Sequence, residues 1–220
     1  MDIPAYVLCH PEKEKARYER LIPHLLEIGL KPEICAPTWG SDLTVEEIFK
    51  AYDPYLVRPV PAFSFKAACL SRGEISLCMN FLAAAKQAVA RGGPALILES
   101  DVWLRPDFKD RLASIITRLP EDWDYVSLGE GCNTRPTQGS YYAPTRLYKP
   151  PHQWVFRCTD SMLLSEKFLK AVTTTMTPFK ECLDWELNWQ MMLHRGVALW
   201  ADPPLAEQGT WNGREGTSLP

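Results

Sequence analysis

Long apolar runs are missing from this chain. Nothing in its 220 residues approaches the ~20 consecutive apolar residues of a bilayer-crossing helix, so no transmembrane segment is expected. An excess of one charge is missing too. Lys and Arg number 24 against 27 Asp and Glu, a formal net charge of −3, which excludes the broad basic field of a nucleic-acid binder. The N-terminus has no secretory pattern, because His10 to Arg20 is crowded with charge where an apolar core would stand. The seven cysteines (Cys9, Cys35, Cys69, Cys78, Cys132, Cys158, Cys182) are odd in number and scattered, with no Cys-x-x-Cys pair. That argues against a disulfide framework and a zinc site, and for a reducing, cytoplasmic setting. Most of them read as small core hydrophobes. No internal repeat, no linker and no Gly-rich phosphate loop of the expected form is visible.

What is present is an ordinary globular composition, 46% hydrophobic and 23% charged. The length suffices for one sizeable α/β core, read as a single domain over residues 1–220. Ile3 to Cys9 reads as a first strand. Tyr18, Leu21, Ile22, Leu25 and Leu26 then fall at helical spacing, with Pro23 predicting a kink or split. Lys31 to Ala36 follows as a second strand, so the opening predicts a parallel crossover. A short helix is expected at Val45 to Ala51. Ser71 and Glu74 form a capping-box pattern ahead of a long apolar helix face that Gly92-Gly93 ends. Further helices are expected from about Pro106, over Glu166 to Thr175, and over Asp184 to His194. Further strands are expected at Asp124 to Leu128, Trp154 to Phe156, Ser161 to Leu164 and Val197 to Trp200. Glu130 to His152 reads as a long loop carrying Tyr141, Tyr142, Arg135, Arg146 and Lys149, a lid or substrate loop. The tail from Ala201 reads as loop.

The stretch Ala95 to Asp101 carries the most chemistry. A branched apolar run enters Glu99-Ser100-Asp101, which reads as a buried strand delivering acids to its carboxyl end. Residues two apart share a face, so Glu99 and Asp101 aim at one point while Ser100 points away. Such a pair suits a hard divalent cation that fills its shell with waters and phosphate oxygens; the bland alternative is a solvated acidic turn. Cys9 and His10 end the first strand, where open α/β sheets place ligands, although a lone histidine is as readily structural. Trp39 can stack on a base or belong to the core. Asp184 and Glu186 lie roughly 200° apart on a helix and cannot serve one atom together. One is therefore the candidate base, and Asp184 also reads as an N-cap.

The run Leu70-Ser71-Arg72-Gly73-Glu74-Ile75-Ser76-Leu77-Cys78, then a helix, then Leu96-Ile97-Leu98-Glu99-Ser100-Asp101-Val102 resembles glycosyltransferase family 25. Fainter likeness extends to Tyr6–Arg20, Trp123–Gly129, Asp184 and Pro204–Gln208. Ser100 stands where the family has aspartate, and Met79-Asn80 where it has Ser-His. The resemblance implies a GT-A-type nucleotide-binding α/β sandwich with a mostly parallel central sheet flanked by helices. It implies transfer of a sugar from a nucleoside-diphosphate donor, a uridine one, to a glycan or glycoconjugate hydroxyl with Mn²⁺ or Mg²⁺. Asp101 and Glu99 would hold the metal. Cys9, His10, Trp39, Arg72, Glu74, Glu99, Ser100 and Asp101 make up the expected donor set, and Asp184, with Glu186 in reserve, the base. The alternative of another class is an inactive sugar-nucleotide or glycan-binding module of the same fold. A glycoside hydrolase is disfavoured because Glu99 and Asp101 are too close in the chain to flank a sugar ring.

Overall fold

Alternation along the strands decides how the molecule is layered. The computed structural model describes residues 3–59, 69–131, 140–142, 147–150 and 156–217. Over them the chain forms β1 (Ala5–Leu8), α1 (Lys15–Glu27), β2 (Pro32–Ile34), α2 (Val45–Ala51), α3 (Arg72–Arg91), β3 (Ala95–Glu99), β4 (Val102–Leu104) and α4 (Phe108–Ile116). It continues with β5 (Tyr125–Ser127), β6 (Ser140–Tyr142), β7 (Leu147–Lys149), β8 (Ser161–Leu164), α5 (Glu166–Thr175), α6 (Leu183–Leu193), β9 (Ala198–Ala201) and β10 (Ala206–Gln208).

The main sheet has the order β2-β1-β3-β8-β5-β9-β7-β6. From the pairings, β2, β1, β3, β5, β9 and β6 run one way and β8 and β7 the other. The result is an α/β fold with a mixed, mostly parallel central sheet. Tyr6, Leu8, Ala95, Ile97, Met162 and Leu164 face one side, where they pack with α3, α5 and α6. Their strand neighbours Ala5, Val7, Leu96, Leu98 and Leu163 face the other, against α1 and α4. Both faces are therefore apolar, which is why these strands read as unbroken hydrophobic runs.

Local signals explain the helix ends. Ser71 N–H donates to Glu74 Oε2 at 2.8 Å and Glu74 N–H donates to Ser71 Oγ at 3.3 Å, so α3 starts on the expected capping box. Gly92, with φ of 81°, ends it. Pro23 neither splits nor ends α1, which is assigned from Lys15 through Glu27. Buried Leu21 and Leu25 on either side hold that turn in place at the cost of one backbone hydrogen bond.

Four expectations are corrected. The span 130–152 is not structureless, because β6 and β7 pair antiparallel within it; Arg135 and Arg146 lie outside the described residues. The tail is not all loop, since β10 pairs with β4, itself unforeseen, as a second small sheet. Phe156 is not in a strand, and Trp154 lies outside the described residues. Cys158 is disulfide-bonded, whereas Cys9, Cys35, Cys69, Cys78 and Cys182 are free. A disulfide is made through space, which spacing along the chain does not disclose. Among the described residues no helix is long and apolar enough to cross a membrane.

Candidate functional site

Strand direction gathers the site. Parallel pairing sets Leu8 of β1 opposite Glu99 of β3, so both strands release their chains at one edge of the sheet. Antiparallel β8 begins at that same edge, and Glu99 N–H donates to the Asp160 carbonyl at 2.9 Å. The segment after β10 arrives as well: Gly209 N–H donates to the Asp101 carbonyl at 2.8 Å. β1, β3 and the segment after β10 border a cavity of about 400 Å³, a size within the usual range for ligand sites.

Glu99, Ser100 and Asp101 all line this cavity. Ser100 does not point away, because β3 ends at Glu99 and the backbone turns, which breaks the strand alternation. Its hydroxyl donates to Glu14 Oε1 at 2.6 Å and accepts from Arg17 Nη1 at 2.8 Å, both from the first strand–helix crossover. Asp101 is 4% exposed. Its Oδ2 accepts from Thr210 N–H at 3.3 Å, whereas its buried Oδ1 has no hydrogen-bond partner. Arg20 fixes the turn from outside, donating to the carbonyls of Ser100 and Val102 at 2.9 Å each while lying over the Trp103 ring at 4.4 Å.

The electrostatics of this corner are unbalanced toward negative charge. Burial pushes the Glu99 carboxyl up to about 8, and the charges of Asp101, Asp160 and Asp184 add to the shift; the Thr159 hydroxyl, which donates to Glu99 Oε1, opposes it. Without a cation, Glu99 therefore favours its protonated form more than an ordinary carboxyl does. A divalent cation would reverse that preference.

The opposite wall is built by α3 and the turn before α2. Trp39 and Gly40 line the cavity with Gly73, Ser76 and Asn80. Asn80 Oδ1 accepts from Thr38 N–H at 3.0 Å and from its hydroxyl at 2.8 Å, which clamps the Trp39 turn onto the helix. A Cβ on Gly40 would stand 2.7 Å from Gly73 N, so this close approach needs glycine at position 40.

A second, smaller cleft of about 130 Å³ is lined by Phe156, Arg157, Asp184, Trp185 and Asn188. Asp184 is not the N-cap of α6; Cys182 occupies that position, and Asp184 lies in the first turn. There it accepts from Trp185 N–H at 2.9 Å and from Cys182 Sγ at 3.3 Å. Burial raises its pKa, opposed by those two hydrogen bonds and by the positive charge of Arg157. Arg157 Nε is buried without a hydrogen-bond partner.

The structure thus brings Glu99, Ser100, Asp101 and Trp39 to one cavity. The other expected residues lie outside its lining. Cys9 is buried in the core, and burial pushes its thiol up to about 12. His10 Nδ1 accepts from the Glu12 and Lys13 amides at 3.3 Å each, with its ring edge-on to Trp39 at 5.7 Å. Arg72 is exposed, and Glu74 is engaged in the capping box. Glu186 is 0% exposed and ion-paired with Arg58. Glu14, Arg17, Thr159, Asp160, Thr210 and Glu215 were not foreseen. Thr159-Asp160 directly precedes an apolar run, but only the antiparallel pairing of β8 shows that this run starts beside Glu99. No protein-family model matches the chain, and no curated protein matches it either.

Proposed function

We propose that the protein is a metal-dependent glycosyltransferase of GT-A type, taking a sugar from a nucleoside-diphosphate donor, a uridine one, to a hydroxyl on a glycan or glycoconjugate. One observation carries the reading: Asp101 lines a cavity beside Glu99, and its buried Oδ1 has no hydrogen-bond partner. A buried charged oxygen left without a partner is costly, and a cation is the partner that suits two neighbouring carboxylates. Among the described residues no group of three or more His, Cys, Asp or Glu is arranged to hold a metal ion. Two carboxylates, with the remaining positions taken by water and diphosphate oxygens, is the coordination that Mg²⁺ adopts in phosphate sites. The residues therefore fit Mn²⁺ or Mg²⁺, held by Asp101 and Glu99.

When bound, the cation neutralises the charge that grows on the departing diphosphate. The remaining work falls to the chain. Trp39 offers an aromatic wall for the base, and the Thr38–Asn80 hydrogen bonds hold it in place. Asp184, in the neighbouring cleft, takes the proton of the acceptor hydroxyl, and its raised pKa improves it as a base. Glu186 is reassigned to the scaffold because its carboxylate is already engaged.

A binding module without turnover is the second reading. It is favoured by Ser100, whose hydroxyl is already taken up by Glu14 and Arg17. Calorimetry with UDP, with and without Mn²⁺, beside an assay of UDP-sugar hydrolysis and transfer, separates the two. The expected outcome is Mn²⁺-dependent UDP binding that Asp101→Ala abolishes, together with turnover of a UDP-sugar. Binding unchanged in Asp101→Ala would sink the site; binding without turnover would leave the module.

A further inference from the structure

Glu215 holds a carboxylate against the one cation that lines the main cavity among the described residues. Its carboxylate lies 2.9 Å from Arg17 Nε and 2.8 Å from Arg20 Nε, and Oε1 accepts from Trp103 Nε1 at 3.0 Å. The two arginines differ in where they sit. Arg20 donates to the Ser100 and Val102 carbonyls and lies outside the cavity lining, whereas Arg17 is held through Nη1 by Glu14 at 3.2 Å and Ser100 at 2.8 Å, and through Nη2 by the Thr210 hydroxyl at 3.3 Å and the Gly216 carbonyl. Arg17 faces the cavity in the company of Glu14, Glu99 and Asp101, so its charge is outnumbered there.

Glu215 belongs to a strap, residues 209–217, that crosses this corner. Thr210 and Thr217 line the cavity, and the Gly209 and Thr210 amides bond to Asp101. Most of the strap is exposed. Its own turn rests on the Arg214 and Glu215 amides, which donate to the Gly209 carbonyl at 3.0 and 3.1 Å, and these two residues are fastened to the small sheet by their side chains, Glu215 to Trp103 and Arg214 to Glu207 at 2.9 Å. The strap thus covers one edge of the Arg17 guanidinium, Nε through Glu215 and Nη2 through Thr210 and Gly216. That edge presents the same pair of donors to a carboxylate and to a phosphate, so lifting the strap frees it for an anion while Glu14 and Ser100 keep hold of Nη1.

We propose that Arg17 is the anion-receiving arm of the cavity, held by Glu215 in the ligand-free protein and released when a diphosphate entering with its cation displaces the carboxylate. The diphosphate identity rests on the donor reading above; the competition between Glu215 and an incoming anion does not. The strap carboxylate then acts as an internal competitor that lowers affinity for anions until a ligand with enough charge arrives.

The test is calorimetric titration of Mn²⁺-loaded protein with inorganic pyrophosphate and with UDP. Glu215→Gln is expected to tighten pyrophosphate binding by about fivefold or more, and Arg17→Met to weaken it by about tenfold or more. In the Arg17→Met background the Glu215→Gln gain is expected to vanish, because the two act through one contact. Unchanged or weaker binding in Glu215→Gln overturns the proposal, since Glu215 would then be orienting Arg17 rather than competing for it. A gain that survives in Arg17→Met also overturns it. If the unaltered protein takes pyrophosphate but not UDP, the transferase reading fails while the Arg17–Glu215 exchange is still decided; binding of neither overturns both.

Discussion

Glu186 in α6 and Asp101 after β3 are both buried carboxylates, 0% and 4% exposed, yet their surroundings differ. Glu186 Oε2 pairs with Arg58 and accepts from the Lys180 and Glu181 amides at 3.1 and 3.3 Å, while Oε1 accepts from Gln190 at 3.3 Å. Arg58 in turn lies over the Trp189 ring at 4.9 Å. Asp101 has a single amide on Oδ2 and nothing on Oδ1. Saturated buried charge belongs to the scaffold, because its desolvation is offset within the protein. Buried charge left short of partners at a cavity wall is set up for something that arrives from outside.

The largest expected effects test the scaffold side of that contrast. Glu186→Ala strands Arg58 and is expected to cost about 3–5 kcal/mol of stability, read by denaturant unfolding. A stable Glu186→Ala protein with abolished turnover would break the contrast. Asp184→Asn keeps the shape of the small cleft but removes the base, so kcat is expected to fall by about 10²–10⁴ with donor affinity retained. Asp101→Asn is expected to weaken Mn²⁺ binding by about 100-fold without lowering the melting temperature. A clear loss of stability there would move Asp101 to the scaffold class.

Smaller effects sharpen the picture at Glu99. Its folded-state pKa of about 8 lies above the ordinary 4.5, so the folded protein holds a proton that the unfolded chain releases between those values. Stability contributed by this group is present below about 4.5 and lost as pH rises toward 8. Cation binding must expel that proton, so Mn²⁺ affinity is expected to rise by up to about tenfold per pH unit over the upper part of the window and to level off above it. A pH-independent affinity in isothermal titration would remove Glu99 from the ligands. Gly40→Ala is expected to cost about 1–3 kcal/mol by overpacking against Gly73 and to weaken UDP more than pyrophosphate, because it shifts the Trp39 wall.

Legibility followed the range of the interaction. The helices at Val45–Ala51 and around Glu166–Thr175, and α3 from its capping box, are legible because periodicity and caps act over three or four positions. The placing of Glu99 and Asp101 at the end of a buried strand is legible because a strand end is a local event, whereas the sequence leaves Trp39 open between core and cavity, and only its turn's packing on α3 sets it in the cavity wall. Strand alternation points Ser100 away, and the turn after β3, held by Glu14, Arg17 and Arg20, brings it in. The β4–β10 pair escaped notice because each strand is three residues long, too short for alternation to register. Glu215 and Asp160 carry no local mark.

By itself, then, the order of residues determined which segments coil or extend, which faces are apolar, and that acids stand where a buried strand ends. Those properties are set by neighbours along the chain. Which distant groups meet at that strand end was decided only when β1, β8 and β10 docked beside Asp101. Strand direction and pairing order come from the packing of both sheet faces as a whole, and they alone bring Arg17 into the cavity wall and set Thr159 and Asp160 against Glu99 and Glu215 against Arg17.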